Sequence, residues 1–363
     1  MNAEHRLAAV RRTLLAEGIP AMLITDASNM RYLTGFDDVF DDGINAACLV
    51  TAERARFYTD ARYREAAAQA AIGTPWSVRC ESGSLYIDIC RELQAEGVSE
   101  LGLESSVPYG RFKFISEQFV GSVRVLDGLV EGVRQTKDAA EIERIEEAAR
   151  VTDAAFEHAL GFIKPGRTER EVALEIEFWM RTHGADAVAF QPIVASGPNS
   201  SRPHATVTDR RIGQGDIVKL DFGACVRGYR ADMTRTVVVG EADEQQRRVY
   251  EAVLEANLAG IAAIRGGIPA AEVDAAARAV LERHGLADRF SHGTGHGVGL
   301  DIHELPTLNA RSRDQLRTGS VVTVEPGVYL EGVFGVRIED LVVVEEAGCR
   351  VLTSSPKDLI QID

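Results

Sequence analysis

Four acidic residues and a run of histidines stand out by type and spacing. Asp221 and Asp232 lie in VKLDFGACVRGYRADMTRTVVV, flanked by apolar strand-like residues and equidistant from a turn expected at Val226–Gly228. A hairpin there puts them directly opposite, with Cβ atoms about 5 Å apart. Glu325 and Glu339, in VVTVEPGVYLEGVFGVRIEDLVVV, are equidistant from Gly332. Facing carboxylates on apolar strands repel, at a cost that a bound cation removes. One such pair could be a surface pair turned to water; two at matched points of a repeat argue for a site. In SHGTGHGVGLDIHE (291–304), glycines alternate with His292, Thr294, His296 and Val298. An extended segment puts His292 and His296 on one face and leaves the other bare for close backbone packing. His303 follows seven residues after His296.

Four carboxylates and an imidazole suit a pair of divalent metal ions. Oxygen-rich ligation favours Mn²⁺ or Mg²⁺, and the imidazole admits Co²⁺, Zn²⁺ or Fe²⁺. Two ions about 3.5–4 Å apart activate a water and polarise a carbonyl, which is hydrolytic chemistry. A phosphate loop is excluded because the G-x-G-x-x-G register fails at Val298. H-E-x-x-H fails because Thr307 stands where the second histidine belongs.

The elements that position these residues repeat. GRTEREVALEIEFWMRTHG (166–184) resembles GGIPAAEVDAAARAVLERHG (266–285): Gly166 matches Gly267 and His183-Gly184 matches His284-Gly285, all offset by 101. GDIVKLDFG (215–223) aligns with GSVVTVEPG (319–327) at an offset of 104, pairing Asp221 with Glu325. Each copy reads as a helical part followed by an antiparallel strand pair. Two copies facing each other form one pseudo-symmetric domain with a cleft between them.

The first 130 residues alternate helical patterns (4–17, 60–72, 84–96) with strand-like runs (19–25, 46–50, 101–105), the pattern of an α/β layer around one sheet. A charged seam at 131–147 reads as a linker entering a long helix near Asp138. The expected domains are therefore 1–130 and 131–363, and the fold class is α/β (α+β).

Length and composition agree: 363 residues exceed one ordinary core, and 45% hydrophobic content is that of a globular chain. A net charge of −15 offers no basic face, which excludes a general nucleic-acid binder. No apolar run of about 18 residues exists to span a membrane. Five scattered cysteines without C-x-x-C read as reduced thiols in a cytoplasmic protein.

LDFGACVRGYRADMTRT, GHGVGLDIHE, TVEPGVY and GVRIED together resemble the pita-bread metallopeptidases, in the Xaa-Pro branch of aminopeptidase P and prolidase. NMRYLTGF (29–36) is similar to the N-terminal domain of that branch and of creatinase. The resemblance implies a dinuclear, most often Mn²⁺-loaded, exopeptidase that cleaves the bond between an N-terminal residue and proline. Asp221 would bind one metal, Asp232 and Glu339 would bridge, and His296 and Glu325 would complete a site. Glu325 would also be the general base. His204 would hydrogen-bond substrate, His292 would line the pocket and His303 would stabilise the tetrahedral intermediate. Arg337 would support the carboxylates, and Tyr229 would stand behind them. The family also implies a homodimer acting on proline-containing peptides.

One departure bears on specificity. Some dipeptidase members follow H-E-x-P with an arginine that grips the substrate's terminal carboxylate; this chain has Thr307, tilting it towards longer peptides, although Arg311 or Arg313 could substitute. Two other readings are a metal-independent, creatinase-like amidinohydrolase and a non-catalytic binding protein on the same scaffold. Both conflict with an intact ligand set.

Overall fold

A computed structural model describes residues 3–41, 43–80 and 83–363. The chain divides into two compact units, Met1–Arg134 and Gln135–Asp363.

The first unit is built on one six-stranded mixed sheet. Its elements in chain order are α1 (Ala3–Glu17), β1 (Ala21–Ile24), α2 (Ala27–Thr34), β2 (Ala46–Thr51), β3 (Ala55–Thr59), α3 (Arg64–Ala70), β4 (Ser77–Cys80), α4 (Leu85–Ala95), β5 (Glu100–Glu104), α5 (Tyr109–Gln118), β6 (Ser122–Leu126) and α6 (Leu129–Arg134). The sheet order is β4-β3-β2-β1-β5-β6. Alternate residues serve opposite faces: Leu23, Leu49 and Leu103 pack under Ile89, Leu93 and Ile115 of α4 and α5. The apolar runs expected as strands are three of the four interior ones, β1, β2 and β5; the fourth, β3, is buried throughout but is not among those expected, its run ARFYT being interrupted by Arg56. The edge strands β4 and β6 are half exposed and so lack a continuous apolar signal. Helix α2 is only eight residues long; Asp26 caps it by accepting from the Asn29 N–H, and Gly35 ends it at φ 69°.

The second unit contains the repeat. Its elements are α7 (Ala139–Phe162), α8 (Glu169–Thr182), β7 (Ala187–Val188), β8 (Ile193–Ser196), β9 (Ile217–Phe222), β10 (Ala224–Val226), β11 (Tyr229–Arg230), β12 (Met233–Val239), α9 (Glu244–Ala263), α10 (Ala270–Arg283), β13 (Gly295–Gly297), β14 (Glu304–Leu308), β15 (Val321–Val324), β16 (Gly327–Leu330), β17 (Phe334–Arg337), β18 (Asp340–Glu345), β19 (Gly348–Val351) and β20 (Ile360–Ile362). Strands β8-β9-β12 are antiparallel neighbours, as are β13-β15-β18. Helices α8 and α10 start 101 residues apart, and β9 and β15 start 104 apart, as the repeat predicts. The expected long helix begins at Asp138, whose side chain accepts from Ala140 and Glu141 while Glu141 reaches back in a capping box.

Phe156, Ile176 and Met180 pack on Val194, Leu220 and Phe222 in one half. Ile264 and Val273 pack on Val322, Val324 and Val342 in the other. Each such buried side chain contributes about 1.5–3 kcal/mol. This apolar scaffold offsets the cost of the acids it buries. On β9, Val218, Leu220 and Phe222 join that core, which leaves Lys219 and Asp221 on the opposite face.

The register corrects one expectation. Asp221 lies opposite Thr234, not Asp232. The turn falls at Arg227–Gly228, both at positive φ (48° and 81°), one residue further along than the expected centre. Asp232 is thereby displaced two positions, to a diagonal neighbour of Asp221. A two-residue slip preserves the face; a one-residue slip would have turned the acid away. The second hairpin keeps the expected register, with Val324 opposite Asp340 and Gly327 opposite Arg337 on either side of Glu325 and Glu339.

Candidate metal centre and active site

A cavity of about 450 Å³ opens in the second unit. Its wall includes Asp221, Asp232, His296, Glu325 and Glu339, together with His204, His292, His303 and Arg337. Nine of the ten residues singled out from the sequence therefore meet in one place. Tyr229 is not among the lining residues; its hydroxyl donates to buried Glu141 on α7, 2.8 Å away.

Each ligand-type residue is aimed by its backbone. Asp221 is the last residue but one of β9, Asp232 precedes β12, and Glu325 and Glu339 sit where the β15–β18 pairing gives way to β16–β17. His296 stands on β13, which lies very close to its neighbours. A Cβ on Gly295 would come within 2.0 Å of the Thr323 carbonyl, and one on Gly297 within 2.2 Å of that of Leu305. Glycine there is a packing requirement. Between the histidines, Thr294 is tied to Asp274 of α10 through N (3.1 Å) and Oγ1 (2.9 Å).

One ligand atom each from Asp232, His296 and Glu339 lies within 4.8 Å of the other two, the one such grouping among the described residues. The His296 Nδ1 faces the Gly297 carbonyl at 3.1 Å, an acceptor only, so Nδ1 carries a proton; Nε2 faces the acids, and although burial opposes it, Glu325 and Glu339 raise the ring's pKa, so that a bound cation would take the place of the Nε2 proton. Nε2 lies 3.3 Å from Glu325 Oε1 and 3.6 Å from Asp232 Oδ2. Glu325 also accepts from Thr323 (3.2 Å), and Glu339 accepts from Thr234 (2.7 Å). Asp221 is bonded to the Arg337 guanidinium.

The charges set the electrostatics. Burial, then Glu339, Asp221 and Glu325, push the Asp232 carboxyl well above its usual range. Burial, with Glu325 and Asp221, raises Glu339 to about 8. Burial also acts to raise Glu325, but His296, His292 and Arg337 outweigh it and hold the group at about 2. Glu325 is thus ionised at neutral pH.

These residues fit a divalent cation. Asp232 Oδ1 is buried with no hydrogen-bond partner, and a carboxylate oxygen in that state is costly. Its neighbours are further acids rather than donors. An oxygen-rich set with one imidazole matches divalent first-row or alkaline-earth ions.

Two residues the sequence reading missed organise the wall. The Tyr329 hydroxyl accepts from Arg337 Nη1 (2.8 Å) and donates to His292 Nε2 (2.8 Å), while His292 Nδ1 donates to the Gly293 carbonyl (2.8 Å). Both His292 nitrogens are thereby engaged by protein. Burial, aided by nearby Arg337, lowers the His292 pKa and keeps it neutral. Thr234 bridges Arg337 Nε (2.9 Å) and Glu339. Both lie inside the motifs that carry the resemblance, but a tyrosine and a threonine on apolar strands read there as ordinary strand residues. Phe190, Gln191, Ile193, Ile302, Thr307 and Asn309, with Gly293 and Gly295, complete the lining, and His303 packs edge-on against His296 with ring centres 4.3 Å apart.

Comparisons with known proteins agree with this geometry. Residues 143–346 match metallopeptidase family M24, and residues 6–136 match the creatinase/prolidase N-terminal domain. A Pyrococcus horikoshii Xaa-Pro dipeptidase is 36% identical over 94% of this chain and 95% of its own length. Among solved structures, an Xaa-Pro dipeptidase from Bacillus anthracis superposes with a TM-score of 0.95 at 39% identity, covering 99% of this chain and 100% of its own. An X-Pro aminopeptidase from Thermotoga maritima superposes at 0.88 with 34% identity, covering 98% and 99%. Its hairpin-borne acids, its glycine-packed histidine strand and these likenesses agree: the chain belongs to metallopeptidase family M24 and is a metal-dependent exopeptidase, a hydrolase, with a creatinase/prolidase N-terminal domain.

Proposed function

We propose that the chain hydrolyses the bond between an N-terminal residue and proline with two divalent ions, Mn²⁺ by preference. Asp221, Asp232, His296, Glu325 and Glu339 would hold them. The observation that carries the reading is the buried group of Asp232, His296 and Glu339, with an Asp232 oxygen that no protein donor satisfies. Bound there, divalent ions supply Lewis acidity towards a carbonyl and lower the pKa of water.

The remaining steps fall to the chain's own residues. Ionised Glu325 accepts the proton of the attacking water and passes it to the leaving proline nitrogen. His303 projects from the wall and donates to the developing oxyanion. Burial, then the neighbouring His296, lowers its pKa, so it acts as a neutral donor. His204, exposed on the rim, hydrogen-bonds the bound peptide. Arg337 pairs with Asp221 and holds its side chain in place on the cavity wall.

Among the described lining residues the one cation is Arg337, spent on Asp221, Thr234, Pro203 and Tyr329. A dipeptide's terminal carboxylate finds no partner of opposite charge. This favours substrates extending beyond proline, and hence an aminopeptidase over a strict dipeptidase. We further propose a cytoplasmic homodimer; no helix among the described residues is long and apolar enough to cross a membrane. The test is metal analysis by mass spectrometry with hydrolysis of an Xaa-Pro dipeptide and an Xaa-Pro tripeptide, Mn²⁺ added. Two equivalents of metal and faster tripeptide cleavage are expected. Hydrolysis of neither peptide by the metal-loaded protein refutes the reading.

A further inference from the structure

Lys219 lies on β9 two residues before Asp221, on the same strand face, and is completely buried. Its Nζ faces three main-chain carbonyls, those of Ser200 (3.2 Å), Arg202 (2.6 Å) and Pro203 (3.1 Å). An ammonium has three donors and no acceptor, so three converging carbonyls satisfy it without a carboxylate. The Tyr329 ring lies on another side, its centroid 5.0 Å from Nζ.

Those carbonyls belong to the segment that ends at His204. The same segment is held elsewhere: Arg337 Nη1 donates to the Pro203 carbonyl (3.1 Å), and the Gly335 N–H donates to Ser200 Oγ (3.0 Å). A Cβ on Gly335 would lie 2.3 Å from the Ser200 carbonyl, so backbone rests directly on backbone. Residues 202 and 204 are themselves exposed. The approach to His204 is therefore anchored from beneath by two buried side chains, Arg337 and Lys219, and Lys219 alone holds three of its carbonyls.

We propose that Lys219 is a positioning residue that fixes the 200–204 segment and so sets where His204 meets the peptide. The proposal rests on the reading of His204 as a substrate contact. Replacing the ammonium with an isosteric thioether, Lys219→Met, keeps the buried volume and strips donors from three carbonyls. The segment then loosens while the strands that carry the acids stay paired.

The decisive experiment is a double-mutant cycle. K219M is expected to raise KM for an Xaa-Pro tripeptide about ten-fold with kcat changed less than three-fold. In an H204A background the same substitution is expected to change kcat/KM less than two-fold, because the group it positions is gone. Equal losses in both backgrounds overturn the proposal. Amide hydrogen exchange supplies a readout that does not need turnover: residues 200–206 are expected to exchange at least ten-fold faster in K219M, with 217–222 unchanged. Unchanged exchange at 200–206 also overturns it. If K219M does not fold, K219Q, which keeps two donors, enters the same cycle with smaller effects in the same direction expected, and additive losses again refute the role. A wild-type protein that cleaves no Xaa-Pro peptide sinks the functional reading, while the exchange measurement still decides whether Lys219 holds the segment.

Discussion

Arg337 and Asp221 form a buried ion pair beneath the cavity, with guanidinium and carboxylate both less than a tenth exposed. The guanidinium also reaches Thr234, Tyr329 and the Pro203 carbonyl, so one side chain joins a metal-ligand candidate, the Glu339 support and the His204 segment. Removing one partner of a buried pair strands the other, at a cost of about 3–5 kcal/mol. Arg337→Met is therefore expected to lower the melting temperature by about 10 °C, read by calorimetry on metal-free protein. A drop under 3 °C would mean that the pair contributes little.

The carboxylate cluster predicts a pH dependence with a definite sign. Burial and neighbouring acids raise Glu339 to about 8 and push Asp232 up as well. For an acid whose folded pKa lies above its unfolded value, the unfolded chain releases its proton first as pH rises. The stabilisation is full below about pH 4, near the unfolded values, and is lost progressively up to about pH 8. Metal-free protein should melt at progressively lower temperature across that window, and saturating Mn²⁺ should flatten the trend. Glu339→Gln should flatten it without metal. A melting temperature in metal-free wild type that rises over the same range contradicts the account.

The chemistry of the site was legible in the sequence because it needs particular side chains on apolar strands, and charged residues in apolar runs are conspicuous. Asp221, Asp232, Glu325, Glu339 and His296 all reach one cavity. The repeat was legible because helices and strands recur at fixed offsets. Less legible was anything set by turn geometry. The positive φ at Arg227 and Gly228 moves the first hairpin by two positions, although the preserved face hides the error at the level of the site. Tyr329, Thr234 and Lys219 escaped notice because their importance lies in long-range hydrogen bonds between strands. The half-exposed edge strands β4 and β6 escaped because they carry too few apolar residues.

Glu325 separates chemistry from binding. His296, His292 and Arg337 hold it ionised against the effect of burial, so it can take a proton at neutral pH. Glu325→Gln keeps the shape and the oxygen that accepts from Thr323 but cannot accept the water's proton. Turnover is expected to fall about 10²–10⁴-fold, with circular dichroism unchanged. Metal content, measured in parallel, separates loss of the base from loss of a ligand. Wild-type rates in the variant would remove Glu325 from the role of base.

On the proposed reading, peptide length preference turns on charge at the cavity's rim. Thr307 lines the wall, and Asp314 lies 3.3 Å from its hydroxyl. A guanidinium at position 307 would face a dipeptide's terminal carboxylate, but Asp314 would compete for it. The informative variant is therefore Thr307→Arg combined with Asp314→Asn, which leaves the new cation free. Its ratio of dipeptide to tripeptide kcat/KM is expected to rise about ten-fold, equivalent to about 1.4 kcal/mol for a charge-assisted contact. The gain should shrink as salt increases, because the contact lies near solvent. An unchanged ratio at low salt would show that peptide length is read by shape and not by the missing cation. It would also return Arg311 and Arg313 to consideration as carboxylate partners.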